Sequence, residues 1–526
     1  MNTSSPSPMS TLSMTASESS SWVIVISAIS SSLFLWYLIA TSIPSLKPAL
    51  QRPPLVKGFI PWLGCALSFS QNPIAFTQRL TRRLGPVVTM FTAGRKITLI
   101  CHRDLIHSML RNTSKALIAD TVHFELLSKA FNIHTHDRVG TRDLIYKHLY
   151  PHVDRYLSKG NFETSGAETS AILAKELFKL QASLSETRPL YLGQIIEDVL
   201  FPAATLSLYG SAYPAHESVH DFHIFDEGVP LLVSGIPLIS RTPAKARERL
   251  VAHMCTWIRK LDTPEDAGIS EVMGGCIRLI RAHQMTEDTT ARLLLAFLFA
   301  ANTNSLRNTF WCLSHLLQDA EALRRVKKEV DALVDGRFKG DISAMTPSAL
   351  EEAGGMPVLE SAIFETLRMY STPVSARRAE EDFVLSSRNA PSFTIRKGED
   401  LLANNYSIHY NEGYFQDPHR FQLDRFLSSE GESDEGETKL SQGALLVFGG
   451  GHNICKGRFV AIYQLKIFIT SFLYTFDVEP VGVGLPGRKL SSEMRIPSRD
   501  FTGIGTARPT EDIQIHLRPC QKVSSS

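Results

Sequence analysis

The chain has 526 residues, of which 43% are hydrophobic and 21% are charged. This composition is that of an ordinary globular protein, so collagen-like and wholly disordered chains are excluded. The 55 basic and 53 acidic residues give a formal net charge of +2, which offers no support for nucleic-acid binding. The seven cysteines are scattered without a CxxC pair, which argues against a zinc finger or a disulfide framework and favours a reducing compartment.

The amino-terminal region contains a candidate membrane span. Residues 1–21 are rich in Ser, Thr and Pro, which predicts a disordered tail. Residues 22–43 follow without a charge, and such a helix is long enough to cross a hydrocarbon core of about 30 Å. A cleaved signal peptide is the rival interpretation, but it would need a basic start and a shorter apolar run. We therefore predict a single retained transmembrane helix.

Basic and proline residues follow the predicted anchor. Lys47, Arg52 and Lys57 come after it, whereas Glu18 precedes it, so the positive-inside rule places the large carboxyl-terminal part in the cytoplasm. Five prolines between residues 44 and 61 restrict the backbone, and we interpret residues 44–58 as a stiff hinge. The remaining residues, 59–526, are predicted to form one catalytic domain.

Helical periodicity dominates this domain. Residues 289–334 read as nearly continuous helix, first apolar and then amphipathic, and residues 356–370 read as another helix. Short β-type runs occur at residues 87–91, 97–101 and 513–517, and two more that could form a small sheet lie at 383–387 and 393–395. The acidic stretch 428–442 reads as a solvated loop. The expected fold class is mainly α with small β-sheets.

One glycine-rich loop carries a cysteine in a position suited to metal binding. The segment 448–457 reads FGGGHNICKG, and an amphipathic pattern resumes directly after it. Consecutive glycines permit backbone conformations closed to other residues. Cys455 should lie just before a helix amino terminus, where the helix dipole lowers a thiol's pKa and favours the thiolate. The alternative is a structural turn with a buried free thiol.

The spacing FxxGxxxCxG in this loop resembles the haem-binding signature of the cytochromes P-450. The resemblance implies the fold of that family and a haem b cofactor whose iron is held by the Cys455 thiolate, which favours O–O cleavage. It also implies that Phe448 packs near the sulfur. His452 stands where the family usually has a basic residue that contacts a haem propionate, so this contact would depend on protonation.

Two further segments resemble family landmarks. Residues 365–368 form an ExxR on a predicted helix, where positions i and i+3 share a face. Such a pair alone is weak, since exposed pairs are common and contribute under ~1 kcal/mol. Residues 417–426 resemble the family's PxxFxPxRF segment. The resemblance implies a structural network of Glu365, Arg368 and Arg425 behind the haem loop.

The resemblance also implies basic partners for the haem propionates. Arg377 is the expected partner, with Arg378 as the alternative. The WxxxR that the family carries on an early helix is not evident. Three basic residues in that region are open substitutes: Arg138, Arg142 and Lys147.

The opening segment 52–73 and the helix pattern around residues 300–311 resemble the branch that contains the steroid 7α- and 12α-hydroxylases and prostacyclin synthase. Most members of the family place an acid and an alcohol on this helix to relay protons during oxygen activation. Aligned without gaps, Thr303 takes the acid position, Asn304 the alcohol position and Ser305 the next one. An asparagine amide cannot titrate, although it can hydrogen-bond oxygen or ordered water. A polar seam without catalytic function is the alternative.

The leading hypothesis from the resemblance is a membrane-bound haem-thiolate monooxygenase that oxidises a sterol-, terpenoid- or secondary-metabolite-like lipophile. It implies electrons from NADPH through cytochrome P-450 reductase, with cytochrome b5 as an additional partner, and a single-pass location in the endoplasmic reticulum membrane. The segment 449–458 also resembles that of filamentous-fungal secondary-metabolism enzymes. Two alternatives stay open: an isomerase or dehydratase of oxidised lipids that needs neither oxygen nor reductase, and a non-enzymatic haem-binding or docking protein.

Overall fold

A computed structural model describes most of the chain from residue 51 onward. The described ranges are 51–112, 116–133, 138–184, 188–236, 239–260, 268–372, 375–427, 444–481, 494–502 and 505–520. The predicted tail, the predicted anchor and the acidic stretch 428–442 lie outside these ranges. Within them, no helix combines the length and the apolar character that a membrane crossing requires.

Helices make up most of the described fold. In chain order they are α1 Ala66–Gln71, α2 Pro73–Leu84, α3 Arg103–Arg111, α4 Asp120–Ala130, α5 Arg138–Leu144, α6 Tyr150–Leu157, α7 Glu163–Ser183, α8 Leu192–Tyr209, α9 Ala215–Ser234, α10 Arg241–Lys260, α11 Glu271–Ala282, α12 Glu287–Gln318, α13 Ala320–Arg337, α14 Pro347–Glu352, α15 Pro357–Tyr370, α16 Tyr406–His409 and α17 Arg458–Thr475. A π-helical turn, Ile145–Leu149, joins α5 to α6.

The strands are short and form small sheets. They are β1 Leu55–Val56, β2 Val87–Thr92, β3 Arg95–Ile100, β4 Leu117–Ile118, β5 Leu190–Tyr191, β6 Ala376–Ala379, β7 Phe383–Ser387, β8 Ala390–Ile395, β9 Asp400–Ala403, β10 Phe476–Pro480, β11 Arg499–Asp500, β12 Arg508–Pro509 and β13 Gln514–Pro519. The largest sheet has the order β1-β2-β3-β9-β6-β4, and a second has the order β10-β13-β5. The pairs β7-β8 and β11-β12 stand apart.

The prediction of a mainly α fold with small sheets is confirmed. The predicted strands at 87–91, 97–101 and 513–517 correspond to β2, β3 and β13, and the two runs near residue 390 pair as β7 and β8. Leu55 and Val56, which fall inside the predicted hinge, pair in parallel with β2. The hinge segment therefore contributes a strand to the sheet of the domain.

The predicted helix across residues 289–334 is interrupted. Asp319 has extended backbone angles (φ −111°, ψ 100°), and its carboxylate accepts hydrogen bonds from the N–H groups of Glu321 and Ala322, both at 3.0 Å. An aspartate in this position caps the next helix, so the chain ends α12 and begins α13. The hydrophobic period continues across the break, which is why the sequence reads as a single helix.

Helix α12 runs through the centre of the main hydrophobic core. It spans 32 residues, or about 48 Å, and most of its side chains are buried. Residues of α8, α9, α10, α15 and α17 share the same core cluster. Because α12 and α17 both belong to this core, the helix that follows Cys455 is fixed relative to the polar seam of α12.

Candidate functional site

The loop that carries Cys455 is held closed by its own backbone. Gly449 and Gly451 adopt φ values of +71° and +65°, a left-handed conformation that other residues disfavour. A Cβ atom on Gly451 would lie 1.9 Å from the carbonyl oxygen of Leu110, so this glycine also lets the loop pass close to α3. The N–H of Cys455 donates to the carbonyl of Phe448 at 3.0 Å. These contacts fix the backbone of the cysteine.

The Cys455 thiol lies just before α17, for which Gly457 is the N-cap. Its side chain is exposed, yet burial raises the pKa of the thiol, against the opposing effects of the Gly457 N–H and of the charges on Arg458 and Lys456. The Gly457 N–H at the helix terminus acts in the predicted direction, but burial has the larger effect, so the net pKa of the free thiol is raised. The thiol is thus accessible, although protein atoms surround it closely enough to oppose its ionisation.

An open stripe runs along the otherwise buried helix α12. Ala300 is exposed, and Phe297, Ala301 and Asn304 are partly accessible, whereas Asn302 is buried. Spacings of three and four residues place the accessible side chains on one face of the helix. The fold therefore leaves room along this face, and its lining is apolar except for Asn304.

The three candidate catalytic residues of α12 point in different directions. The Thr303 hydroxyl donates to Asp226 of α9 at 2.8 Å, and the Ser305 hydroxyl donates to Gln464 of α17 at 3.1 Å. Both residues are buried. Successive residues of a helix are about 100° apart, so Asn304 alone of the three lies on the open stripe.

The two neighbouring arginines of β6 have opposite environments. Arg378 pairs with Asp400 at 2.7 Å and with Glu125 at 2.5 Å. Arg377 is buried, and within the described part of the chain its one hydrogen bond goes to the carbonyl of Ala376 at 2.8 Å. Burial also lowers the pKa of Arg377, and the more distant negative charge of Asp120 offsets this only in part. A buried cation with so little compensation needs an anionic partner, so Arg377 is better placed than Arg378 to bind a propionate.

The remaining predicted cofactor contacts are less constrained. The His452 side chain is exposed within the short turn Gly451–Asn453. Phe448 is half-buried and packs against the main core. Of the early basic residues, Arg142 and Lys147 pair with a surface aspartate, and the side chain of the third lies outside the described part of the structure.

These features fit a haem group. An accessible thiol precedes a helix amino terminus, and one face of α12 presents accessible small and aromatic side chains. A buried guanidinium, that of Arg377, forms no ion pair within the described residues and hydrogen-bonds a backbone carbonyl. Cys455 would hold the iron, which deprotonates a coordinating thiol, and Arg377 would hold a propionate. When bound, haem supplies the activation of oxygen. The protein supplies the ligand, the apolar surroundings and the Asn304 amide.

A buried ionic network lies on the carboxyl-terminal half of α15. Glu365 and Arg368 are fully buried and form two hydrogen bonds, at 2.7 and 2.9 Å. The Nε of Arg425 donates to both oxygens of Glu365 at 3.0 and 2.9 Å. The Nη1 atom of Arg368, which does not bind Glu365, donates to the carbonyls of His409 and Pro418 at 2.6 and 2.9 Å. The Glu365–Arg368 pair thus joins α15 to α16, through Arg368, and to the segment that ends at Arg425, through Glu365.

The network connects to the cysteine loop through His409. The N–H of Leu446 donates to His409 Nε2 at 3.0 Å, and the N–H of Gly449 donates to the Leu446 carbonyl at 3.3 Å. The chain of contacts from Arg368 to the Cys455 loop is therefore continuous. Because Nε2 of His409 accepts a hydrogen bond from a backbone N–H, this imidazole is neutral and its proton is on Nδ1.

Burial makes two histidines near this network sensitive to acid. It lowers the pKa of His409 and that of His315, which hydrogen-bonds the hydroxyl of Tyr370, from 6.5 to about 3. Between these pH values the unfolded chain binds more protons than the folded one. The contribution of the two neutral histidines to the free energy of unfolding is therefore complete above pH 6.5 and declines as the pH falls towards 3. Each histidine contributes a slope of up to about 1.4 kcal/mol per pH unit.

We expect the thermal midpoint of the protein to fall over that pH range and the His315→Phe variant to show a shallower fall. The phenylalanine can keep the stacking on Phe421, for which the ring centroids of the wild-type pair are 4.4 Å apart. Replacement of the exposed His220 by glutamine is the control and should change the slope much less than His315→Phe does, since His220 only adds to the positive charge near Asp221. Equal slopes in wild type and His315→Phe would contradict the assignment to His315.

Sequence reasoning missed several residues of the site. Asp226 binds both Thr303 and Arg307, the latter at 2.6 Å. Thr506 contacts α12 from a segment about 200 residues away, and His409 links the network to the loop. No spacing or composition signal marks these residues, because each acts through a partner that is distant in the chain.

Comparisons with known proteins agree with this geometry. A model of the cytochrome P-450 family matches residues 267–497. The chain is 30% identical over 504 residues to cytochrome P-450 7A1 of Oryctolagus cuniculus, covering 89% of this chain and 93% of the relative. It is 28% identical over 500 residues to cholesterol 7-alpha-monooxygenase of Cricetulus griseus and 27% identical over 481 residues to 7-alpha-hydroxycholest-4-en-3-one 12-alpha-hydroxylase of Homo sapiens, with the same coverage.

Fold, cysteine loop and buried network together define a haem-thiolate oxidoreductase. The chain belongs to the cytochrome P-450 family. It is a monooxygenase that uses haem iron and electrons derived from NADPH by way of a reductase. The predicted resemblance to the steroid hydroxylase branch is confirmed.

Proposed function

We propose that this protein is a membrane-bound monooxygenase that hydroxylates a sterol or a sterol-like lipophile. One oxygen atom of dioxygen would enter the substrate and the other would leave as water, with two electrons supplied by NADPH through cytochrome P-450 reductase. The observation that carries the proposal is the Cys455 thiol, accessible within the protein, on a fold whose α12 offers an open apolar stripe.

The relatives support the choice of substrate class. The names of two of them specify hydroxylation of cholesterol at position 7 and of a cholestenone at position 12. The open stripe of α12 suits a rigid hydrocarbon, since Phe297, Ala300 and Ala301 contribute carbon alone. Terpenoids and lipophilic secondary metabolites share this apolar character and belong in the same panel of candidate substrates.

The test is turnover of a sterol panel by purified protein with reductase. Binding should shift the absorption spectrum of the haem, and turnover should consume oxygen and NADPH in equal amounts while an oxygenated sterol appears. A Cys455→Ala preparation is the control for haem bound without the thiolate. Conversion of an oxidised lipid without NADPH or oxygen would instead support an isomerase, and failure of every sterol with activity on another lipophile would overturn the substrate class.

The membrane association is proposed from two surfaces. Residues 22–43 would anchor the chain, and the described segment that follows exposes several large apolar side chains. These are Leu55, Phe59, Ile60, Trp62 and Leu67. Phe59 is fully exposed, and Trp62 is 62% exposed. An apolar cluster of this kind on a surface indicates contact with a membrane or a partner. We assign it to the cytoplasmic face of the endoplasmic reticulum membrane.

Deletion of residues 1–43 should convert the protein from an integral to a peripheral membrane protein. The truncated protein should be released from membranes at alkaline pH, because only the exposed apolar side chains remain to hold it. A second change, Phe59→Ser with Trp62→Ser, should then reduce the peripheral binding to vesicles. Alkali-resistant insertion of the truncated protein would contradict the single anchor.

A further inference from the structure

An irregular segment near the carboxyl terminus runs along helix α12. The helix contributes Asn304, Arg307, Asn308 and Trp311, whose spacing places them on one face. Arg307 Nη1 donates to the carbonyl of Thr506 at 3.0 Å, and Asn308 Nδ2 donates to its hydroxyl at 2.8 Å. The indole N–H of Trp311 donates to the next carbonyl along the segment at 2.7 Å.

The other edge of this segment is also fixed. The N–H and the hydroxyl of Thr372 both donate to the carbonyl of Gly505, at 2.6 and 2.8 Å. The N–H of Ala507 donates to the carbonyl of Tyr370 at 2.8 Å. Gly505, Thr506 and Ala507, which we call the clasp, are therefore held between α12 and the end of α15.

The clasp determines which way the Asn304 amide points. The N–H of Thr506 donates to Asn304 Oδ1 at 2.9 Å. Because a backbone N–H can only donate, the atom that it contacts must be the amide oxygen. The amide NH2 of Asn304 is the remaining donor; it makes no hydrogen bond within the described part of the chain, and it belongs to a residue that lies along the open stripe of α12.

Gly505 makes this orientation sterically possible. It has a φ of +90°, and a Cβ atom on it would lie 2.1 Å from Asn304 Oδ1. Any side chain at position 505 would therefore have to displace the amide or break its contact with the clasp. The clasp thus requires glycine both for its conformation and for the close approach to Asn304.

We infer that Gly505 and Thr506 are positioning residues that fix Asn304 as a hydrogen-bond donor on the open stripe of α12, toward the haem that Cys455 would hold. This inference deepens the proposed function and rests on its haem assignment. A donor at that place would recognise a lone pair, such as that of a small ligand of the haem iron or of an oxygen on the substrate. The clasp prevents the Asn304 amide from rotating by 180°, so Asn304 cannot present its oxygen as an acceptor along the open stripe.

Carbon monoxide is a suitable probe, because its stretching frequency in the reduced complex responds to nearby hydrogen-bond donors. A donor beside the oxygen of the ligand strengthens back-donation from the metal and lowers the frequency. In Asn304→Asp at alkaline pH, one carboxylate oxygen can keep the Thr506 contact while the other replaces the donor by an acceptor. In Gly505→Ala, Asn304 is retained but displaced. Both variants should raise the frequency relative to wild type.

Gly354→Ala is the matched control. Gly354 also has a left-handed φ, of +84°, but a Cβ atom there meets nothing within 4 Å. This substitution imposes the same kind of backbone strain without touching Asn304, and the frequency should stay at the wild-type value. If Gly505→Ala fails to fold, Asn304→Asp still decides whether a donor faces the ligand.

The outcomes separate this inference from the proposed function. An unchanged carbon monoxide frequency in Asn304→Asp, or in folded Gly505→Ala, would overturn the inference about the clasp. If the same variants still show a thiolate-type carbon monoxide spectrum, the haem assignment remains intact. Absence of that spectrum from the wild-type protein would overturn both. A raised frequency in both variants with an unchanged control would establish the clasp as the element that orients Asn304.

Discussion

Replacement of Cys455 by alanine should abolish the absorption band of the reduced carbon monoxide complex that marks thiolate ligation, together with all NADPH-dependent turnover. The thiol is accessible within the protein and precedes α17. The closed backbone of its loop holds the Cys455 N–H against Phe448 at 3.0 Å. Alanine keeps this backbone contact but provides no ligand atom, so the loss should be complete while the fold survives.

The chain provides a control for this substitution. Cys255 is a free cysteine on α10, partly exposed and remote in sequence from the loop. Cys255→Ala should leave both the spectrum and the turnover at wild-type levels. A thiolate-type band in Cys455→Ala would show that another cysteine is the ligand. A colourless wild-type protein after haem supplementation would refute the haem site itself.

Parts of this site could be predicted because they are local in sequence. The loop around Cys455 and the ExxR of Glu365 and Arg368 each fit within ten residues, and a helical period of 3.6 brings the latter pair onto one face. The strands β2, β3 and β13 were predictable for the same reason, since a β-type run is visible within five or six residues, whereas β10, which is five residues long, was not predicted. Strands of two residues, such as Leu55–Val56, carry no such pattern.

Other parts depend on contacts that no local pattern encodes. The sequence places Asn304 at the alcohol position of the helix. It does not reveal that the amide oxygen of Asn304 accepts a hydrogen bond from Thr506, 202 positions later. Thr303 took the acid position in the alignment, yet its hydroxyl is occupied by Asp226, which lies 77 residues earlier. Packing between distant helices therefore decides which member of a polar run faces the open space.

The pKa of Cys455 illustrates a different limit. Its place before a helix correctly indicated groups that favour the thiolate, among them the Gly457 N–H. It did not reveal the burial, which opposes them and dominates in the free protein. The sign of the shift is a property of the whole fold and not of the loop.

The second large effect is expected from the network of Glu365. Glu365→Ala would leave the guanidinium groups of Arg368 and Arg425 without their shared counter-charge, although Arg368 is fully buried and Arg425 nearly so. Removal of one partner from a buried ion pair typically costs about 3–5 kcal/mol. This is a large fraction of a total stability of roughly 5–15 kcal/mol. We expect poorly folded, haem-depleted protein, and the same from Arg368→Ala.

A second ExxR in the same protein provides the matched control. Glu321 and Arg324 have the same spacing and a contact of 2.6 Å, but both side chains are more than 60% exposed. Glu321→Ala should therefore change the stability little, because solvent screens an exposed pair, and it should leave the haem content unchanged. The measurements are haem content per protein chain and the thermal midpoint of each variant.

The comparison separates the burial of the network from its sequence motif. If burial and the route through His409 to the cysteine loop matter, Glu365→Ala should lose haem and Glu321→Ala should not, although both variants remove the glutamate of an ExxR. Full haem loading in both Glu365→Ala and Arg368→Ala would show that the loop holds Cys455 without the network. Equal losses in Glu365→Ala and Glu321→Ala would show that helix stability alone, and not the buried contacts, is responsible.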